Sequence, residues 1–219
     1  GISSMQLARD IGVTQKTAWF MLQRIRNASM TEEFRRPLLT GKIQADETLL
    51  GGKEQFKHAS KRSRNAIGRA SMYSKTIVMG MLSDSGELRM QKIPRFTRKE
   101  IEAIVKRNVR GGSTVHTDEA GHYKWMHGFY EHGLVKHRFG EYVTKEGVHT
   151  NGIEGAFSHF KRAVTGVYHK VSDEHVDRYL SMFAWRWTRR KMGEGERVHA
   201  LLKGTKNRRI TYKRLIGKD

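Results

Sequence analysis

The sequence predicts an α/β domain preceded by a small all-α helix-turn-helix. Three observations carry this: two short capped helices around a glycine at the start, a change to strand-like alternation from Lys42, and helical periodicity between and after the strands.

The first stretch, S-S-M-Q-L-A-R-D-I-G-V-T-Q-K-T-A-W-F-M-L-Q-R-I-R, offers Ser3 with Gln6 as a cap and Gly12 as a turn. Thr14 caps a second helix that carries Ala18, Leu22 and Ile25 on one face. Lys16, Arg24 and Arg26 make that helix basic and mark it as a DNA-contacting candidate. The helix-turn-helix is assigned to 1–30, and 31–41, with Pro37, reads as a linker.

From Lys42, K-I-Q-A-D-E-T-L-L reads as a strand that ends in acids. Segment 53–75 then holds seven Lys or Arg against one Glu and reads as a basic loop, with Lys53, Lys57, Lys61, Arg62 and Arg64 as DNA contacts. T-I-V-M-G-M-L-S is an apolar strand, D-S-G-E a turn, and L-R-M-Q-K-I its alternating hairpin partner. Thr97 caps a helix bearing Ile101, Ile104 and Val105, which stops at Gly111 and Gly112. S-T-V-H-T-D-E is a further strand that ends in two acids. A helical segment over 123–132 and a short strand, L-V-K-H-R-F, follow. The last long helix is expected from Ser172, with Val176, Tyr179, Leu180, Phe183 and Trp187 at helical spacing, and 193–219 as a loosely ordered basic tail that contacts DNA.

Lys and Arg outnumber Asp and Glu by 42 to 22, a formal charge of +20. So large an excess points to a polyanionic partner, nucleic acid first and anionic membrane second. No apolar run approaches the roughly 20 residues that span a bilayer, and the N-terminus has no signal-peptide pattern. The absence of cysteine excludes disulfides and Cys-ligated zinc within these residues, and allows a reducing, cytoplasmic setting.

The chemistry concentrates in three places: Asp46 closing one strand, Asp118 closing another, and Asn151 with Glu154 opening the helix of H-T-N-G-I-E-G-A-F-S-H-F-K-R. At about 100° per residue, Asn151, Glu154, Ser158 and Lys161 fall within an arc of roughly 80°, apart from the apolar stripe of Ile153, Phe157, Phe160 and Val164. A capping box explains Asn151 and Glu154 without any metal, although it leaves Lys161 without a role. Lys161 could instead contact a phosphate or hold the acid. If the strand ends share a crevice, converging carboxylates repel unless a cation sits between them, and hard oxygen donors suit Mg²⁺ or Mn²⁺. Two such ions support cleavage and transfer at phosphorus. His122, His127 and His132 are spaced by five and do not share a helical face, so no metal site is read there. His116 and His149 lie near Asp118 and Asn151 and are expected to be structural or DNA-facing.

In order, D-E-T-L-L-G-G-K at 46–53, T-D-E at 117–119 and H-T-N-G-I-E at 149–154, followed by Lys161 and G-V-Y-H at 166–169, resemble the motifs of DDE-type transposases of bacterial insertion sequences. The intervals between acids, 72 and then 36 residues, fit that family, and the resemblance covers roughly 42–191. It implies a ribonuclease-H-like mixed sheet flanked by helices over 42–192. It also implies a Mg²⁺ site at which Mn²⁺ can substitute, with Asp46, Asp118, Glu154 and Asn151 as ligands and Lys161 assisting. Implied partners are double-stranded DNA, as transposon ends and target, held by the basic groups above and Arg162, and further copies of the chain. No membrane or small-molecule cofactor is implied, and the setting is cytoplasmic and nucleoid-associated. This branch is described as using Asn as third ligand; both Asn151 and Glu154 are present, and chemistry favours Glu154. Relatives carry a cysteine-rich zinc segment ahead of the helix-turn-helix, which makes this cysteine-free sequence a candidate truncation. Two other readings fit the same residues: a ribonuclease-H-like nuclease or resolvase, and a helix-turn-helix regulator without catalysis.

Overall fold

The alternation in K-I-Q-A-D-E-T-L-L is realised as β1, Lys42–Leu50, the central strand of a five-stranded sheet. The computed structural model describes residues 1–30, 36–51, 75–118, 121–135, 148–206 and 209–217. β2, Thr76–Ser83, and β3, Leu88–Ile93, form the expected antiparallel hairpin. β4, Thr114–Asp118, and β5, Glu131–Val135, run parallel to β1. The order β3-β2-β1-β4-β5 is that of a ribonuclease-H-like sheet, so the fold class is as expected.

Side-chain alternation gives the sheet two different faces. Ile43 and Ala45 of β1 and Ile77, Met79 and Met81 of β2 point into a core closed by α3, Arg98–Asn108, through Ile101, Ile104 and Val105, and by the 3-10 turn Gly121–Met126, through Tyr123 and Met126. The opposite face receives α4, Asn151–Ala163. A Cβ at Gly80 would stand 2.6 Å from the Phe157 ring and 2.7 Å from Ile153 Cδ1, so α4 lies almost on the β2 backbone. Only glycine allows that approach.

Contacts divide the chain into two units, 38–159 and the pair of segments 1–37 and 160–219, with the boundary inside α4. This differs from the division at 42 and 192 expected from the sequence. In the second unit α1, Ser4–Ile11, ends at Gly12 in the left-handed region, and α2, Gln15–Ser29, starts at a Thr14 cap, as the sequence indicated. α2 packs on α5, Val176–Thr188, and α6, Glu194–Lys203.

Four expectations need correction. α5 begins at Val176 rather than Ser172, because residues 173–175 form a turn. The helical segment over 123–132 is only the 3-10 turn; Gly128 takes a positive φ, and the chain enters β5 at Glu131 to pair with Thr114, earlier than the expected strand over 134–139. The described residues of the tail are not loosely ordered, since they form α6 and α7, Tyr212–Leu215, and bury Ile210 and Leu215. Gly204 is held so close that a Cβ there would lie 2.6 Å from the Ala28 carbonyl oxygen. The basic loop 53–75, apart from Lys75, lies outside the described residues, and so does the linker segment 31–35.

Candidate active site

Asp46 does not close its strand. β1 continues to Leu50 against β2, where Asp46 sits opposite Gly80. The parallel ladder with β4, however, stops at Gln44 and His116. Two residues further along, at the same offset, stand Asp46 and Asp118, so both acids lie just past the point where the two strands part. Period-two alternation puts them on the Gln44 side, the face covered by α4.

α4 is brought to that place by contacts from three strands. Gln44 Oε1 of β1 accepts the Ile153 backbone N–H at 3.1 Å. His116 of β4 hydrogen-bonds the backbone of His149. Gly80 and Leu82 of β2 lie against Ile153, Phe157 and Gly152. Glu154, half-buried in the first turn of α4, accepts a hydrogen bond from Thr150 Oγ1 at 2.7 Å, while the Thr150 carbonyl accepts the Glu154 N–H at 3.1 Å. Thr150 is therefore the residue at which the helix starts, and Asn151 is its exposed first position. The expected capping box is not what forms. The Thr150 hydroxyl turns to the Glu154 carboxylate, and the Ile153 N–H that it would have capped goes to Gln44.

The electrostatics register this convergence. Asp46 is pushed up to about 7, first by burial and then by the charge of Glu47; the Glu47 backbone N–H that it accepts at 2.7 Å opposes the shift, and Asp118 and Glu154 add to it. Asp46 thus feels both of the other acids. Among the described residues, however, no three histidines or acids stand close enough to hold one metal ion together.

The other face of β1 carries a polar cluster whose contacts sequence reasoning missed. Glu47, with a side chain 10% exposed, accepts hydrogen bonds on Oε1 from Tyr123 at 2.5 Å and from His122 at 3.1 Å. Burial would lower the His122 pKa, but the hydrogen bond and charge of Glu47 outweigh it and hold it raised. Burial, then Glu47, raises Tyr123 well above the usual phenol range. Two further histidines, His127 and His132, lie close to β4. His132 bonds Thr117 at 2.8 Å and meets the His127 ring edge-on, 4.9 Å between centroids; burial, then His127 and His116, depresses it to about 4. The only sequence signals for these contacts are a glycine inside an apolar strand, at 80, and an acid of the parity that faces the core, at 47.

The DNA-contact candidates separate sharply. Lys16, Arg24 and Arg162 are exposed, and so is Lys161 on α4. Arg26 is not a surface cation. It is 4% exposed, with its guanidinium 3.9 Å above the ring of Tyr179 and 5.3 Å from that of Tyr168. α2 turns Arg26 inward with Ala18 and Leu22, where the aromatic faces replace water around the charge, and leaves Ile25 38% exposed instead. Lys53, Lys57, Lys61, Arg62 and Arg64 lie outside the described residues.

A family model described as ISXO2-like transposase domain matches residues 38–188. Among solved structures the chain is similar to a pre-cleavage Mos1 transpososome, at 13% identity over 95% of this chain and 76% of that one, with a TM-score of 0.34. It is also similar to a Mos1 mariner paired end complex with Mn, at 12% identity over 95% and 76%, TM-score 0.33. A Mos1 strand transfer complex matches at 12% identity over 95% and 75%, TM-score 0.25. No curated protein sequence matches. TM-scores this low leave the family match as the finding that bears on function.

Proposed function

The chain belongs to the ISXO2-like transposase domain family, and from that premise we propose a transposase of the DDE type that cleaves and joins DNA at the ends of its element. The observation that carries this reading is geometric: Asp46 and Asp118 stand at the same offset just past the last rung between β1 and β4, on the sheet face that α4 covers, and the charges of Asp118 and Glu154 both reach Asp46. Like charges gathered on one sheet face suit a hard divalent cation, and an all-oxygen donor set suits Mg²⁺, with Mn²⁺ able to substitute. When bound, such ions would activate a water or 3′-hydroxyl and stabilise the leaving oxygen at phosphorus.

In this reading Asp46 and Asp118 would be two ligands, and Glu154 rather than Asn151 the third, once the three close on a cation further than they do here. Glu154 carries the charge and is held by Thr150, whereas Asn151 is exposed at the helix start. Lys161, two turns along α4, contacts a phosphate of the DNA. Lys16 and Arg24, exposed on α2, with Arg162, contribute phosphate contacts in the same way, together with Lys53, Lys57, Lys61, Arg62 and Arg64. The helix-turn-helix holds double-stranded DNA, and the protein acts as a homo-oligomer on transposon ends at the nucleoid.

Incubation with DNA that carries the element's terminal inverted repeat tests the proposal. With Mg²⁺ or Mn²⁺, the account expects nicked ends and joined strands, and a chelator abolishes both. Hydrolysis without joined strands would identify a nuclease instead, and binding without any cleavage a regulator.

A further inference from the structure

Ile153 N–H is one of the backbone donors that the first turn of a helix leaves without an intrahelical partner. Its local candidate, the Thr150 hydroxyl, is engaged with Glu154 at 2.7 Å. The acceptor comes from a residue 109 positions earlier in the chain, Gln44 Oε1 at 3.1 Å. Gln44 is two residues before Asp46 on the same strand face, and it occupies the last rung of the ladder with β4, opposite His116. Room for its amide comes from Gly152, where a Cβ would lie 2.8 Å from Gln44 Oε1 and 3.0 Å from Leu82 Cδ2.

From this arrangement we propose that Gln44 is a positioning residue for the third acid. By capping α4 from β1, it sets the first turn of the helix against the Asp46 strand and leaves Thr150 to orient the Glu154 carboxylate. The inference rests on the reading of Glu154 as a ligand. The consequence is mechanical: the helix start is registered to the strand that bears Asp46 through one amide, so losing that acceptor shifts or frays the turn carrying Glu154. Partners that hold ligands in this way typically influence metal affinity or activity by about 10- to 100-fold.

The test compares Gln44→Leu, which keeps bulk but loses the acceptor, with Gln44→Glu, which keeps an oxygen at the same reach, both in the full chain. Gly152→Ala, which crowds the amide from the helix side, is an independent third variant. Three quantities are read: hydrogen exchange at the Ile153 amide in metal-free protein, Mn²⁺ affinity by titration with the metal alone, and the cleavage rate on end-containing DNA. The expected Gln44→Leu protein exchanges the Ile153 amide at least tenfold faster and binds Mn²⁺ about tenfold more weakly. It also cleaves about 10- to 100-fold more slowly, with DNA affinity and the exchange of the Met79 amide in β2 unchanged. Gln44→Glu restores Ile153 protection, and Gly152→Ala follows Gln44→Leu. Unchanged exchange and Mn²⁺ affinity in Gln44→Leu, or a Gln44→Glu protein as impaired as Gln44→Leu, would overturn the assignment. Failure of the transposase reading looks different: wild-type protein would then show no metal-dependent cleavage, while exchange and Mn²⁺ affinity still decide the role of Gln44.

Discussion

Replacing Asp46 by Asn should stabilise the metal-free protein at neutral pH while it removes activity. Burial and the neighbouring acids carry Asp46 from 3.8 to about 7 in the fold. At about 1.36 kcal/mol per pH unit, a shift of roughly three units corresponds to a folding penalty of about 4 kcal/mol once the carboxylate is ionised. The sign follows from proton binding. Between pH 4 and 7 the unfolded chain has lost this proton and the folded one retains it, so stability falls as pH rises through that window and then levels off. Below pH 4 both states are protonated and the penalty vanishes. Asn keeps an acceptor for the Glu47 N–H and carries no charge. Urea unfolding in chelator at pH 4 and pH 8 measures the effect. At pH 8 the Asn protein should be more stable by about 2–4 kcal/mol, and the gap should close towards pH 4. An Asn variant no more stable than wild type at pH 8, or a gap independent of pH, would show that an ionised Asp46 carries no such folding penalty.

Further predictions concern the elements around the site. Gly80→Ala forces a methyl into Phe157 and Ile153; it should cost about 1–3 kcal/mol in thermal unfolding and slow cleavage by displacing α4 from Asp46. Tyr123→Phe removes a donor from buried Glu47 and should destabilise the protein by about 1.5–3 kcal/mol, read by urea unfolding at pH 8. Arg26→Ala should lower stability and leave the salt dependence of DNA binding unchanged. Lys16→Ala or Arg24→Ala should instead reduce the salt slope by about one each, with stability within about 0.5 kcal/mol of wild type.

Strands and capped helices were legible because each is written in a local pattern: alternation in β1 and β3, an apolar run in β2, and Ser, Thr and Gly signals around α1, α2 and α3. Features that depend on distant partners were not legible. Asp46 reads as the last residue of a strand, yet β1 has two ladders of unequal length, and only the shorter one, with β4, ends beside it. Arg26 reads as a surface cation because the tyrosines that enclose it arrive from a segment some 150 residues later. The start of α4 shows the same limit most clearly. The capping box read on Asn151 and Glu154 places the helix start within one residue, but the hydroxyl at the start, Thr150, turns to the Glu154 carboxylate, and the Ile153 N–H is satisfied by Gln44. Glu47, ordinary beside Asp46 in the sequence, gains its two partners only when the 3-10 turn closes the other face of the sheet.

In the proposed reading, acids from β1, β4 and α4 act together in metal-dependent strand cleavage and joining. The most direct measurement is product formation on terminal-repeat DNA with Mg²⁺ or Mn²⁺ by wild-type, Asp46→Asn, Asp118→Asn and Glu154→Gln proteins, each first shown to bind that DNA. Nicked and joined products are expected from wild type and, at a measurable rate, from an added Asn151→Ala protein, and none from the three acid variants. Cleavage or joining at wild-type rate by any of the three acid variants would contradict that reading.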